Sequence, residues 1–201
     1  MLHVGLTGGY GTGKTFVGEA LAALGCHLVC ADLLGHQVLA PEGEAYAPVI
    51  AEFGSSILAP GGAIDRRRLA ALVFDDPERL ARLNGLVHPA VIRRIEELRR
   101  QFEAQDPNGI IVVEAAILIE TGVHRRFDRL ILAVCDSAQQ IERAMRRDGL
   151  SRQEILARLQ HQMPLAEKRK FAHYVIDTSG SKEDTLRQVR QTYDSLRSIQ
   201  S

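Results

Sequence analysis

The feature that most constrains this chain is a glycine-rich stretch near its N-terminus, Gly8-Gly9-Tyr10-Gly11-Thr12-Gly13-Lys14-Thr15. It fits the phosphate-loop (P-loop) pattern, in which a glycine and four further residues precede Gly-Lys-Ser/Thr. An apolar run at 2–6 precedes it and a helical pattern at 16–24 follows it. The glycines let successive backbone N–H groups turn toward one anion, and the N-terminus of the following helix adds positive potential. The stretch therefore predicts a site for the phosphates of a nucleoside triphosphate.

The residues of this loop have separate expected roles. Lys14 supplies a positive charge for the β- and γ-phosphates, and Thr15 supplies a hydroxyl for Mg²⁺. The base-reading sequence Asn-Lys-x-Asp of GTPases does not occur in the chain, so ATP is the expected nucleotide. The nucleotide-binding residues predicted here are Gly8, Gly9, Gly11, Thr12, Gly13, Lys14, Thr15 and Phe16.

Five short apolar segments predict the strands of a parallel sheet. Their apolar residues are continuous rather than alternating, which is typical of strands buried on both faces. Helical patterns separate them, so the expected fold class is α/β, with a five-stranded parallel sheet flanked by helices. In such sheets ligands bind beyond the carboxyl ends of the strands. The five segments are 2–6, 28–31, 110–113, 130–134 and 174–176.

The segment between the second and third strands is too long for one crossover connection. We predict that 32–107 is a helical insertion that holds a substrate, although a passive helical cap would show the same pattern. Aspartates that can cap and prolines at first helical positions mark the helix starts. The predicted helices span 66–74, 78–86 and 89–104, and their starts are marked by Asp65, Asp76-Pro77 and Pro89.

A second insertion, 136–164, predicts a pair of helices rich in arginine. Ser137 is the expected N-cap of the first helix, Gly149 should end it, and Ser151 with Glu154 forms a capping box for the next. In a phosphoryl-transfer enzyme such a helix pair is where a lid would lie. A solvated basic face is the alternative for any single arginine. The arginines are Arg143, Arg146, Arg147, Arg152 and Arg158.

Two carboxylates follow predicted strands and are the expected chemical groups. Asp32 is the candidate base that takes the proton of an alcohol acceptor, and its alternative role is the N-cap of a helix over 33–39. Glu114 is expected to hold Mg²⁺ together with Thr15 and Asp32, and its alternative is a structural ion pair with an arginine. His88 is expected to be a buried structural residue rather than a catalyst.

Composition restricts the partners that the chain can be expected to bind. Its 201 residues are 45% hydrophobic, enough to bury a core, and the formal net charge is zero. No global basic field indicates a nucleic acid or an anionic membrane as a partner, and no apolar window reaches transmembrane length. Three cysteines, an odd number without metal-ligand spacing, favour a cytoplasmic protein. We expect a monomer.

Beyond these patterns, the sequence resembles the dephospho-CoA kinase family over nearly the whole chain. Residues 5–15 are similar to the N-terminus of that family, and the combination of the later segments is more specific than the phosphate loop. Those segments are Leu86-Val87-His88-Pro89, Glu114 to Glu120, Arg147-Asp148-Gly149-Leu150-Ser151, Gln162-Met163-Pro164 and Ala172 to Gly180.

The resemblance implies an activity and a division of the chain. It implies transfer of the γ-phosphate of ATP to the ribose 3′-hydroxyl of dephospho-CoA, with Asp32, Lys14 and Arg147 as catalytic residues. It also implies that Arg143, Arg147 and Thr178 contact the nucleotide. The implied parts are a P-loop kinase core at 1–31, 108–135 and 165–201, a CoA-binding insertion at 32–107 and a lid at 136–164.

The chain departs from the family pattern at several positions. Tyr10 replaces a small aliphatic residue inside the phosphate loop, and Thr178 replaces an asparagine near the expected adenine site. The residues alone also allow a kinase for another small alcohol or nucleotide, or an ATP-binding switch protein with little turnover. The other departures are Cys30, Ala116, Ile119 and His173.

Overall fold

The computed structural model describes residues 1–74 and 76–199 of the chain. Asp75 of the predicted insertion, and Gln200 and Ser201 at the end of the predicted core, lie outside the described residues. Five strands form one sheet, and their order across it is β2-β3-β1-β4-β5. The strands are β1 (Leu2–Gly8), β2 (His27–Cys30), β3 (Ile110–Glu114), β4 (Arg129–Val134) and β5 (Tyr174–Asp177).

The sheet confirms the predicted α/β class. The pairings of β1 with β3, of β1 with β4 and of β4 with β5 are all parallel. Most residues of β3 and β4 are apolar and buried, as the continuous runs indicated. The carboxyl ends of β1, β3 and β4 therefore meet at one edge of the sheet, directly beside the phosphate loop.

Helices α1 (Lys14–Ala23) and α9 (Lys182–Ile199) supply much of the core that covers one face of the sheet. Val17 and Leu21 of α1 and Val189 and Leu196 of α9 join the apolar residues of the strands in one buried cluster. This packing fixes the start of α1, and with it the position of the phosphate loop.

The chain divides into two compact units. The first comprises 1–29 and 101–201 and contains the sheet, and the second comprises 30–100. The second unit contains α2 (Ala31–Val38), α3 (Tyr46–Phe53), α4 (Arg66–Val73) and most of α5 (Pro77–Gln105). It has its own apolar core, formed by Val38, Ala45, Val49, Ile57, Ile64, Leu69, Val73 and Ala90.

Two details of the helices predicted in the insertion are wrong. α5 is one continuous helix through Pro89 rather than two helices, because a proline removes one backbone donor without necessarily ending a helix. The N-cap of α2 is Cys30 and Asp32 lies within its first turn, so Asp32 is not a cap. The predicted caps Asp65 and Asp76 are confirmed, since each accepts hydrogen bonds from two following backbone N–H groups.

The helix pair of the predicted lid consists of α6 (Ser137–Asp148) and α7 (Arg152–Gln160), and it belongs to the first unit. The N-cap of α6 is Asp136 rather than the predicted Ser137. Gly149 ends α6 with a left-handed φ of 66°, and the capping box of Ser151 and Glu154 is present. The short helix α8 (Leu165–Lys168) follows. Within the described residues, no helix combines the length and apolar composition needed to cross a membrane.

Candidate active site at the phosphate loop

The phosphate loop connects β1 to α1 through glycines that the backbone geometry requires. Gly11 and Gly13 have φ angles of 81° and 77°, a region that side chains disfavour. The Thr12 hydroxyl donates to the Gly9 carbonyl oxygen at 2.9 Å and closes the loop from inside. The loop therefore has the strained, glycine-dependent shape that an anion-binding turn needs.

Helix α6 approaches the phosphate loop so closely that two loop positions have no room for a side chain. A Cβ atom at Gly9 would lie 2.5 Å from Gln140 Nε2, and one at Gly11 would lie 2.5 Å from the Gln140 carbonyl oxygen. Gln140 is buried and its Nε2 donates to the Tyr10 carbonyl oxygen at 2.7 Å. The first turns of α6 thus support the loop from one side.

A carboxylate meets the two polar residues that end the loop. Glu114 is the last residue of β3 and is only 3% exposed. Its Oε1 accepts a hydrogen bond from Thr15 Oγ1 at 2.7 Å and lies 3.9 Å from Lys14 Nζ. The structure therefore brings together Lys14, Thr15 and Glu114, as expected from their places after β1 and β3.

A buried lysine lies behind the loop, and its burial was not predicted from the sequence. Lys168 is fully buried and its Nζ contacts the carbonyl oxygens of Gly8 at 3.3 Å and Ala116 at 2.6 Å. It also pairs with Glu120 Oε1 at 2.8 Å. Burial lowers the pKa of the Lys168 ammonium, and the hydrogen bond that it donates to Glu120 opposes that shift.

Glu120 extends this contact to the helix pair. Its Oε1 also accepts a hydrogen bond from the Met163 backbone N–H at 3.0 Å, just after α7. The buried Lys168 and its partner Glu120 therefore connect the start of the loop, the segment after β3 and the segment that follows α7. In sequence, Lys168 looks like an ordinary surface lysine beside Glu167, and only the pairing across the fold distinguishes it.

The segment after β5 reaches the other side of the loop. Thr178 is 5% exposed, and its hydroxyl contacts the Thr12 carbonyl oxygen at 2.8 Å. Arg143 of α6 donates to Thr178 Oγ1 at 3.1 Å and to its carbonyl oxygen at 2.9 Å. Arg143 and Thr178 thus lie together beside the loop. Phe16, in the first turn of α1, lies under Lys182, whose Nζ is 6.0 Å from the ring centroid.

Arg147 lies near the end of α6 and faces the phosphate loop. Its Cζ is 4.9 Å from the centroid of the Tyr10 ring, and its guanidinium donates two hydrogen bonds to Asp148, each at 2.9 Å. These bonds, with the hydrogen bond from Tyr10, lower the pKa of the Asp148 carboxyl to about 2. Arg147 is therefore held at the loop by Tyr10 of the loop and by Asp148 of its own helix.

Asp32 belongs to the second unit, in the first turn of α2 and two residues beyond β2. Asp32 is exposed to solvent. In the sheet β3 lies between β2 and β1, so the carboxylate that follows the strand next to β1 is Glu114. His88, also in the second unit, is half-buried within α5, and burial lowers its pKa. Its structural role stays a prediction.

The site has oxygen ligands suited to Mg²⁺ but no all-protein metal cage. No group of three or more His, Cys, Asp or Glu side chains suited to a metal ion occurs among residues 1–74 and 76–199. Thr15 Oγ1 and Glu114 Oε1 are hard oxygen donors that meet at 2.7 Å. Mg²⁺ in phosphoryl-transfer sites is held by one or two protein oxygens together with substrate phosphates and water, so this donor pair fits.

Comparison with known proteins gives one consistent family. A dephospho-CoA kinase family model matches residues 2–184. The curated dephospho-CoA kinase of Aquifex aeolicus is 37% identical over 196 residues, which cover 98% of each chain. A crystal structure of a Thermus thermophilus protein is 34% identical, covers 97% of both chains and superposes with a TM-score of 0.84.

A more distant solved structure supports the fold. The dephospho-CoA kinase from Campylobacter jejuni has a TM-score of 0.72, with 99% of this chain and 98% of that chain covered, at 24% sequence identity. The agreement in fold extends over both compact units of the chain, since almost all of it is matched.

Proposed function

We propose which residues catalyse the reaction of this chain, which belongs to the dephospho-CoA kinase family. Its activity is therefore the ATP-dependent phosphorylation of dephospho-CoA in coenzyme A biosynthesis. The observation that carries the proposal is the contact of Thr15 with Glu114 at 2.7 Å beside Lys14. It places a hydroxyl, a carboxylate and an ammonium at the sheet edge where α/β enzymes bind their ligands.

The nucleotide is held by the loop and by the residues around it. The backbone of 8–15 and the N-terminus of α1 surround the phosphates, and Lys14 neutralises charge on the β- and γ-phosphates. Arg147 adds positive charge as the γ-phosphate leaves ADP. Arg143, Phe16 and Thr178 contact the rest of the nucleotide.

Thr15 and Glu114 are the proposed protein ligands of Mg²⁺, with Asp32 as a third. When bound, Mg²⁺ supplies charge neutralisation and orientation of the phosphate oxygens. Glu114 holds the Thr15 hydroxyl in place through its hydrogen bond, and its own position is fixed by burial at the end of β3. The proposal for Glu114 is supported by this geometry, and that for Asp32 by its place after β2.

Asp32 is the proposed general base. A carboxylate that accepts the proton of the ribose 3′-hydroxyl makes that oxygen a better nucleophile toward the γ-phosphorus. The oxygen–phosphorus bond to the ribose forms while the bond to the ADP oxygen breaks, and the proton stays on Asp32 until it passes to water. The second unit, 30–100, with the remainder of the predicted insertion to 107, is the proposed holder of dephospho-CoA.

Steady-state kinetics of Asp32→Asn tests the base assignment. We expect kcat to fall by about 10²- to 10⁴-fold, with a much smaller change in ATP affinity. Lys14→Ala serves as the comparison, since it should abolish turnover by removing phosphate charge. Normal turnover of Asp32→Asn would show that Asp32 is not the base. ADP release should depend on dephospho-CoA and not on nucleoside monophosphates or sugars.

A cytoplasmic location and a monomeric state are also proposed. The odd number of cysteines, three in all, supports a reducing compartment. Sedimentation of the purified chain would test the monomer, and a stable dimer at micromolar concentration would contradict it.

A further inference from the structure

Tyr10, which replaces a small aliphatic residue of the family pattern, lies between two arginines of the helix pair. The Cζ atoms of Arg147 and Arg158 are 4.9 Å and 5.3 Å from the centroid of its ring. Both distances are within the range of cation–π attraction. Arg158 Nη1 also donates to the Tyr10 hydroxyl at 2.8 Å. The aromatic ring and the phenol oxygen thus engage one arginine from α6 and one from α7.

Asp148 completes this arrangement. It accepts from Arg147 Nε and Nη2, both at 2.9 Å, and from the Tyr10 hydroxyl. The Arg147 guanidinium is therefore held by two hydrogen bonds to Asp148 and by its contact with the Tyr10 ring. A guanidinium has five N–H donors, and Asp148 takes two of them, which leaves three that a phosphate could accept from.

The backbone of Tyr10 makes two further contacts with the same part of the chain. Its N–H donates to Gln162 Oε1 at 2.9 Å, and its carbonyl oxygen accepts from Gln140 Nε2 at 2.7 Å. A small aliphatic residue at position 10 would keep these backbone contacts but would lose the ring and the hydroxyl. The side chain therefore adds a set of contacts that depends on tyrosine itself.

We propose that Tyr10 is a positioning residue that docks α6 and α7 on the phosphate loop before ATP binds and orients Arg147 and Arg158 for it. The part concerning catalysis rests on the proposed role of Arg147 at the γ-phosphate. The docking itself does not, because it rests only on the contacts that Tyr10 makes with α6 and α7. An arginine that is already oriented loses less conformational entropy when the phosphate arrives.

Amide hydrogen exchange of the nucleotide-free protein tests the docking. Tyr10→Leu should raise exchange in α6 and α7 by about 10- to 100-fold, since it removes two cation–π contacts and two hydrogen bonds. Tyr10→Phe keeps the ring and should give an intermediate increase. Tyr193→Phe in α9, which packs against the core of the first unit, is the matched control and should leave α6 and α7 unchanged. Unchanged exchange in Tyr10→Leu would overturn the docking.

A double-mutant cycle tests the orientation of Arg147. Tyr10→Leu should raise the KM for ATP and lower kcat/KM by about 10-fold, and its effect should be smaller once Arg147 is already alanine, because only the contacts with Arg158 then remain to be lost. Additive losses would overturn the claim that Tyr10 acts through Arg147. If Arg147→Ala turned over normally while exchange in Tyr10→Leu still rose, the docking would stand and the catalytic assignment of Arg147 would fall.

Discussion

Lys168 shows how much of the loop depends on a single residue outside the motif. Its ammonium is fully buried and contacts carbonyl oxygens from two segments as well as the Glu120 carboxylate. A buried charge is tolerated only when it is paired and hydrogen-bonded. Lys168 meets that condition through contacts with parts of the chain that lie far from it in sequence, so it holds those parts together.

Lys168→Ala should lower the free energy of unfolding by about 3 kcal/mol, because it removes a fully buried side chain and leaves two carbonyl oxygens without their donor. Lys170→Ala is the matched control, since its pair with Glu167 is exposed and should contribute less than about 1 kcal/mol. Denaturant unfolding of both variants measures the difference. Equal losses in the two variants would show that the contacts of Lys168 do not hold the loop.

His88 predicts a pH dependence of stability. Burial lowers its pKa in the folded chain, whereas the unfolded chain has the ordinary value of about 6.5. The unfolded state therefore binds the proton more readily, and the stabilising contribution of neutral His88 is present above about pH 6.5 and is lost as pH falls through the folded pKa.

The measurement is the free energy of unfolding between pH 5 and pH 8 for the natural chain and for His88→Asn. We expect the natural chain to lose more stability on acidification than the variant does. His36, whose pKa burial also lowers, is present in both proteins and so cancels in the comparison. Parallel pH curves would show that His88 is protonated equally in both states.

The sequence sufficed for the residues of the site that belong to the motif or follow strands, and failed for those that depend on pairing. Lys14, Thr15 and Glu114 were predicted together, because a phosphate loop and the end of an adjacent parallel strand must meet. The pairing of Lys168 with Glu120 was not predicted, because nothing in the local sequence of either residue indicates its partner. Such a pair becomes visible only when the fold brings the two segments into contact.

At the scale of elements, helix starts were predictable where a capping residue had no competitor. Asp65 and the pair Ser151–Glu154 had none, and the structure confirms them. At the start of α6 two residues that cap well stand next to each other, and the sequence favoured Ser137 where the structure has Asp136. Propensity alone does not distinguish adjacent caps, since the choice is set by where β4 ends.

Substitution of the two competing residues tests this assignment. Asp136→Ala should destabilise α6 by about 1 kcal/mol, because the carboxylate accepts from the backbone N–H groups of Ala138 and Gln139. Ser137→Ala, the neighbouring control, lies within the first turn and should change stability by less than about 0.5 kcal/mol. Amide exchange within α6 measures both effects. A larger loss of helix stability in Ser137→Ala would show that Ser137 is the N-cap.

At the scale of the whole molecule, the sequence predicted the five strands but not their order. Chain order alone would suggest that β2 lies beside β1, whereas β3 lies between them. That crossover matters for function, because it makes Glu114 rather than Asp32 the carboxylate on the strand next to the phosphate loop. The strand order depends on where the chain re-enters the sheet after the long insertion that follows β2. No local sequence pattern predicts that position.

The division into two compact units predicts two separate patterns of ligand protection. ATP with Mg²⁺ should slow amide exchange at 8–16 and in α6 and α7, because binding stabilises the elements that contact the phosphates. Dephospho-CoA should slow exchange mainly within 30–100, whose buried cluster is its own. In Lys14→Ala the first pattern should disappear while the second remains, since the proposed role of Lys14 is to bind the phosphates of the nucleotide. If dephospho-CoA protected only the first unit from exchange, the insertion would not be the acceptor site. The helices of the second unit would then have a structural role.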